Sequence, residues 1–80
     1  MNDSIEIVVA IGCRDHTWQE HAVCINRDSI TDYQPEQLEL LAVSTLMPIL
    51  ETMAYEWLRA NRPEYLRDIC FFTLLYWNWQ

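Results

Sequence analysis

The pattern of hydrophobic and polar positions divides the chain into three segments. Residues 5–11 form a β-branched, mostly apolar run that predicts a strand. Gly12 follows this run, and its missing Cβ predicts a turn with a positive φ there. Polar and apolar residues then alternate imperfectly over 17–25, which favours a second strand and a β-hairpin over 5–25. One face of the second strand is predicted to carry Trp18, Glu20, Ala22 and Cys24.

The second segment has helical periodicity. Pro35 fits a first helical position, and apolar residues recur at helical spacing as far as Ala60. The pattern predicts a long helix over 35–60, kinked at Pro48, whose missing N–H leaves the Ser44 carbonyl without a partner. The predicted core face consists of Ala42, Val43, Leu46, Ile49, Leu50, Met53, Trp57 and Ala60.

A second apolar stripe flanks this face and consists of Leu40, Met47, Ala54 and Leu58. Surface helices usually show one apolar stripe. The second stripe has two interpretations: contact with another element of the same chain, or contact with a partner.

The third segment is apolar on all sides, so its periodicity does not separate a helix from a strand. The proline at its start favours a hydrophobic helix over 63–78, because Pro63 fits a first helical position. Its aromatic content favours a third strand instead, which would complete a sheet with the hairpin. In either form, residues 1–80 are predicted to be one small α+β domain in which the N-terminal hairpin packs on the long kinked helix.

The net charge of the chain limits the classes of partner that it can bind. The chain has 12 acidic and 5 basic side chains, a formal charge of −7 and an isoelectric point near 4.4. Direct binding to nucleic acid or to an anionic membrane is therefore not expected, since both need cationic surfaces. All five basic residues are arginines, and a single glycine excludes a glycine-rich phosphate-binding loop.

No arrangement of residues predicts catalysis, a cofactor or a metal. Cys13, His16, His21 and Cys24 have suitable side chains for zinc, but their spacing differs from common zinc motifs. An extended strand would also direct His21 and Cys24 to opposite faces. The odd number of cysteines and the polar opening residues 1–4 predict a reduced, cytoplasmic protein.

The favoured hypothesis is a non-enzymatic interaction module that uses an acidic face. Carboxylates along one surface can imitate a phosphate track and compete for a basic surface on a nucleic-acid-handling protein. Phage-encoded inhibitors of host nucleic-acid machinery, including anti-CRISPR proteins, are similar in size and charge only. The predicted partner-binding residues are Asp32, Glu36, Glu39, Glu51 and Glu56.

The alternative is an obligate homodimeric structural or regulatory subunit with no nucleic-acid-related target. A core this small often needs support from self-association, and the second stripe and the aromatic C-terminus offer apolar surface for it, so a homodimer is expected under either hypothesis. The predicted self-association residues are Leu40, Met47, Leu58 and Trp79.

Overall fold

The computed structural model describes residues 4–26 and 40–80, which form a three-stranded antiparallel sheet and a helix. In chain order the elements are β1 (Ser4–Cys13), β2 (Trp18–Asn26), α1 (Val43–Asn61), a short 3₁₀ helix (Pro63–Leu66) and β3 (Ile69–Trp79). The strand order in the sheet is β2-β1-β3. The predicted α+β class and the N-terminal hairpin are therefore confirmed.

β1 is the central strand, which fits its apolar, β-branched sequence. It pairs with β2 over nine consecutive residues, with Ile7 opposite Val23. On its other side it pairs with β3, with Ile7 opposite Trp77. Alternate residues of β1 therefore point to the two faces of the sheet, and both neighbouring strands limit their exposure to solvent.

The turn between β1 and β2 differs from the prediction. Gly12 lies within β1 and has no positive φ, whereas His16 takes the left-handed conformation at φ 69°. The Asp15 carboxylate accepts a hydrogen bond from the Thr17 N–H at 3.1 Å and another from the Thr17 hydroxyl. This local side-chain bonding replaces glycine as the cause of the turn.

The helix predicted over 35–60 is interrupted at residues 41–42, because Leu40 is helical and α1 begins beyond the break. Ala42 has an extended conformation, with ψ at 147°, so a single helix running through this residue is wrong. The extended residue allows Leu41 to pack against the core before α1 starts. Pro48 lies inside α1, near its start, and removes the hydrogen bond that would end on the Ser44 carbonyl. Residues 35–39 of the predicted helix lie outside the described residues.

The buried face of α1 combines members of both predicted stripes. Its fully buried side chains follow an i, i+4 row: Leu46, Leu50, Ala54 and Leu58. Ile49, Met53 and Trp57 flank this row and are half-buried against the core. Val43 and Ala60, which the pattern assigned to the core face, are exposed. Such a row is inclined to the helix axis, so the contact face crosses from one predicted stripe to the other.

The favoured helix over 63–78 is wrong, and its alternative, a third strand, is what the structure shows. Only Pro63–Leu66 is helical, and Asp68 at φ 57° leads into β3. The segment pairs with the free side of β1, and its end is fixed by reciprocal backbone hydrogen bonds between Ser4 and Gln80 at 2.8 and 3.1 Å. A strand satisfies the backbone groups along both β1 and β3, which a helix could not do.

The core lies between α1 and one face of the sheet. It contains the buried row of α1 and these strand residues: Ile5, Ile7, Val9, Ile11, Val23, Ile25 and Leu74. Within residues 4–26 and 40–80, no helix combines the length and the apolar character that crossing a bilayer requires.

Candidate interaction surface

The two faces of the sheet have different surroundings. One face packs against α1, while no helix of the described chain packs on the other, which we term the open face. The open face consists of Glu6, Val8, Ala10 and Gly12 from β1, Trp18, Glu20, Ala22, Cys24 and Asn26 from β2, and Phe71, Thr73, Tyr76 and Asn78 from β3. Its composition is mostly apolar and aromatic.

The centre of the open face is a floor of small aliphatic side chains. Val8 and Ala10 are only 5% and 3% exposed. They are flanked across the strands by residues such as Ala22 and Tyr76, which lie directly opposite Val8. Among residues 4–26 and 40–80, the side chains directly beside this floor come from the two flanking strands.

Three aromatic side chains surround the floor and are open to solvent. Trp18 is 59% exposed, Phe71 is 49% exposed and Tyr76 is 51% exposed. Tryptophan and tyrosine are enriched among residues that dominate binding energy, because they present a large area with few rotatable bonds. The open face therefore has the composition of a binding surface.

Position 12 must be glycine because the Phe71 ring lies very close to its backbone. Phe71 lies opposite Gly12 across β1 and β3, and a Cβ at position 12 would overlap the Phe71 ring. The ring therefore packs directly on the glycine backbone. This contact fixes the position of Phe71 while leaving about half of its surface exposed.

The charge on the open face is entirely acidic. Glu6 and Glu20 are the charged residues at the strand positions that form this face, and no arginine is among them. Exposed aromatic rings also attract cations through their π-systems. The open face is therefore complementary to an apolar surface with basic residues at its margin.

The acidic residues predicted from the sequence do not form one surface in the described chain. Asp32, Glu36 and Glu39 lie outside the described residues. Glu51 is half-buried, and its carboxylate accepts a hydrogen bond from the Leu74 N–H at 3.4 Å. Glu56 is exposed, but it lies five positions after Glu51, which places the two about 140° apart around α1.

The predicted self-association residues divide into two groups. Leu40 and Met47 are exposed. Leu58 is fully buried in the core of the chain, and Trp79 packs against that core. Leu58 and Trp79 are therefore used within the fold, and of the four residues only Leu40 and Met47 are exposed to solvent.

A small groove of about 160 Å³ lies near the hairpin turn and is lined by Cys13, His21, Glu64 and Tyr65, among others. The His21 and Tyr65 rings stack at a centroid distance of 4.3 Å, which joins β2 to the 3₁₀ helix. Because β2 is extended, His21 and Cys24 point to opposite faces, as predicted. In the described part of the chain, no three potential metal ligands lie together.

The open face could be recognised only in part from the sequence. The alternation in 17–25 correctly placed Trp18, Glu20, Ala22 and Cys24 on one side of β2. The contribution of Phe71 and Tyr76 was missed, because the favoured helix did not place them in the sheet. Comparisons with protein-family models, curated proteins and solved structures find no match to this chain.

Proposed function

We propose that this chain is a non-enzymatic, acidic protein-interaction module, which acts as an inhibitor or adaptor by docking its open face on a basic protein surface. The observation that carries the proposal is the open face itself. Exposed Trp18, Phe71 and Tyr76 surround an apolar floor, and the charged groups among them are carboxylates.

The exposed aromatic rings of the open face are apolar area that water covers in the free chain. Monomeric soluble proteins rarely expose contiguous apolar patches of more than a few hundred Å² without a binding role. Burying the aromatic rings against a partner would release that water, and each ring buries about 150–250 Å² in a typical contact. The apolar area of the open face therefore supplies affinity, and its carboxylates favour partners with basic surfaces over other proteins.

The charge of the chain indicates the class of partner. A formal charge of −7 steers the chain towards positive surfaces and away from phosphate backbones. Proteins that handle nucleic acids carry basic grooves that neutralise phosphates, so they are the class of partner that such a charge favours. Similarity to phage anti-CRISPR inhibitors extends only to size and charge.

The test is affinity for a purified partner. The tagged chain is used to capture proteins from a nuclease-treated lysate of the source organism, and the recovered protein is purified. Titration calorimetry then compares the parent chain with Trp18→Ala, Glu20→Gln and Glu56→Gln. We expect Trp18→Ala to weaken binding at least tenfold and Glu20→Gln to reduce the salt dependence of binding.

Glu56→Gln is the matched control, because it removes the same charge from an exposed position on α1. It is expected to leave affinity within about twofold. Loss of affinity in Glu56→Gln alone, with Trp18→Ala unchanged, would move the binding surface to the helix and contradict the proposal for the open face. Recovery of an acidic partner, with binding insensitive to salt, would contradict the electrostatic argument.

A further inference from the structure

The sheet has two outer edges, at β2 and at β3. The Cys13 N–H donates to the Thr17 carbonyl at 2.8 Å, so these residues are a hydrogen-bonded pair. Hydrogen-bonded pairs alternate along an antiparallel ladder, and the same register continues through the hairpin. The odd-numbered residues of β2 therefore bond to β1, and its even-numbered residues, from Trp18 to Asn26, direct their N–H and C=O groups outward.

The β3 edge is irregular. Its register with β1 shifts twice, which leaves Leu75 and Cys70 as extra residues. Between these bulges, the outward Leu74 N–H donates to the Glu51 carboxylate on α1. Bulges and covered backbone groups are devices that prevent an edge strand from pairing with another chain.

Among residues 4–26 and 40–80, the β2 edge shows none of these features. All nine of its residues pair with β1 in one uninterrupted register. The sequence of β2 contains no proline and no lysine. Within residues 4–26 and 40–80, no hydrogen bond involves the outward backbone groups of β2. A regular edge of this kind is a template for another strand.

We propose that a second copy of the chain pairs with this edge, so that two β2 strands run antiparallel across a two-fold axis at Ala22. Ala22 then lies opposite the partner's Ala22, which is the register in which all nine residues overlap. This register places Glu20 opposite the partner's Cys24, so no two like charges are directly opposed. Each copy donates from its even-numbered residues, giving about ten interchain hydrogen bonds.

The dimer joins the sheets and the open faces of the two copies. Two three-stranded sheets become one sheet of six strands, and the two open faces become continuous across the β2 pair. Both copies of α1 lie on the other side. This inference does not rest on the proposed function, because it concerns the sheet edge and needs no basic partner.

The first test is the mass in solution, measured by sedimentation equilibrium over a range of concentrations. We expect about twice the 9.6 kDa of one chain. Ala22→Pro is expected to give a monomer, because proline removes an outward N–H at the centre of the interface. The ladder to β1 does not use that N–H, so the fold is retained, as a circular dichroism spectrum would check.

A matched pair of lysine substitutions tests the register and does not depend on proline. Ala22→Lys brings two lysines together at the two-fold axis and is expected to weaken dimerisation at least tenfold. Cys24→Lys adds the same charge two residues away on the same face, but it places each lysine opposite Glu20 of the other copy. Cys24→Lys is expected to leave dimerisation unchanged or to strengthen it.

Three results would overturn the proposal. The first is a monomer at all concentrations up to millimolar. The second is a dimer that Ala22→Pro and Ala22→Lys leave intact. The third is slow hydrogen exchange at the Ala22 and Cys24 amides under conditions where the chain is monomeric, since another part of the same chain would then cover this edge.

Discussion

Val8 and Val9 are neighbours on β1 and almost equally inaccessible to solvent, at 5% and 0% exposure, but they are buried in different ways. Val9 lies in the core beneath α1. Val8 lies on the open face, where side chains of the two flanking strands surround it. Among the described residues, the two valines therefore have different surroundings, because α1 covers Val9 whereas strand neighbours lie beside Val8.

Paired substitutions measure this difference directly. Val9→Ala is expected to destabilise the fold by about 2–3 kcal/mol, because the core around it is enclosed and collapses only partly onto a cavity. Val8→Ala is expected to cost about 1 kcal/mol, because neighbouring side chains and water can fill the space. Urea unfolding of the two variants checks the values, and equal losses would contradict the distinction between the faces.

The contact between Gly12 and Phe71 gives the next largest effect. Gly12→Ala is expected to destabilise the fold by about 2 kcal/mol, because the new methyl group displaces the Phe71 ring. Phe71→Ala removes the obstacle, so adding Gly12→Ala to that variant should cost little. A double-mutant cycle of unfolding free energies measures this coupling. Additive losses would show that position 12 is sensitive for another reason.

The sequence predicted the hairpin and the composition of one side of β2 because alternation is a local signal. It failed at residues 63–78 because an all-apolar run fits either a helix or a strand. The choice depended on β1, whose second side needed a hydrogen-bonding partner. Local sequence also led to the wrong prediction of a turn at Gly12. The residue must be glycine because the ring of Phe71, some sixty positions later in the chain, packs against it.

The candidate surface could also not be predicted from local sequence patterns. The acidic and apolar residues were grouped by helical spacing, which does not reveal that Leu58 completes the core or that Glu51 contacts β3. The open face combines positions from three strands, and its residues converge only once β3 is placed beside β1. Predicting it required the strand order, which no single segment specifies.

A smaller effect is expected at the β3 edge. Glu51→Ala removes the acceptor of the Leu74 N–H, which is a long hydrogen bond at 3.4 Å. We expect a stability loss of about 0.5–1 kcal/mol and faster hydrogen exchange at the Leu74 amide, measured by NMR. Exchange at outward amides of β2 serves as the internal control and should not change. An unchanged Leu74 rate would mean that Glu51 does not protect this edge.

The smallest effect concerns Asp15, in the turn that joins the central strand to β2. Hydrogen bonds from the Thr17 hydroxyl and N–H hold the pKa of the Asp15 carboxyl below its ordinary value. Since the folded pKa is depressed, the stabilisation is present above the unfolded pKa and is lost as pH falls through the folded one. Thr17→Val removes the hydroxyl and should raise the pKa of Asp15 towards its ordinary value in a carbon-detected NMR titration. Thr17→Ser keeps a hydroxyl and should preserve the lowered pKa. Because Asp15 is exposed, Thr17→Val should change stability much less than Val9→Ala does, although the turn directly follows the strand that contains Val9.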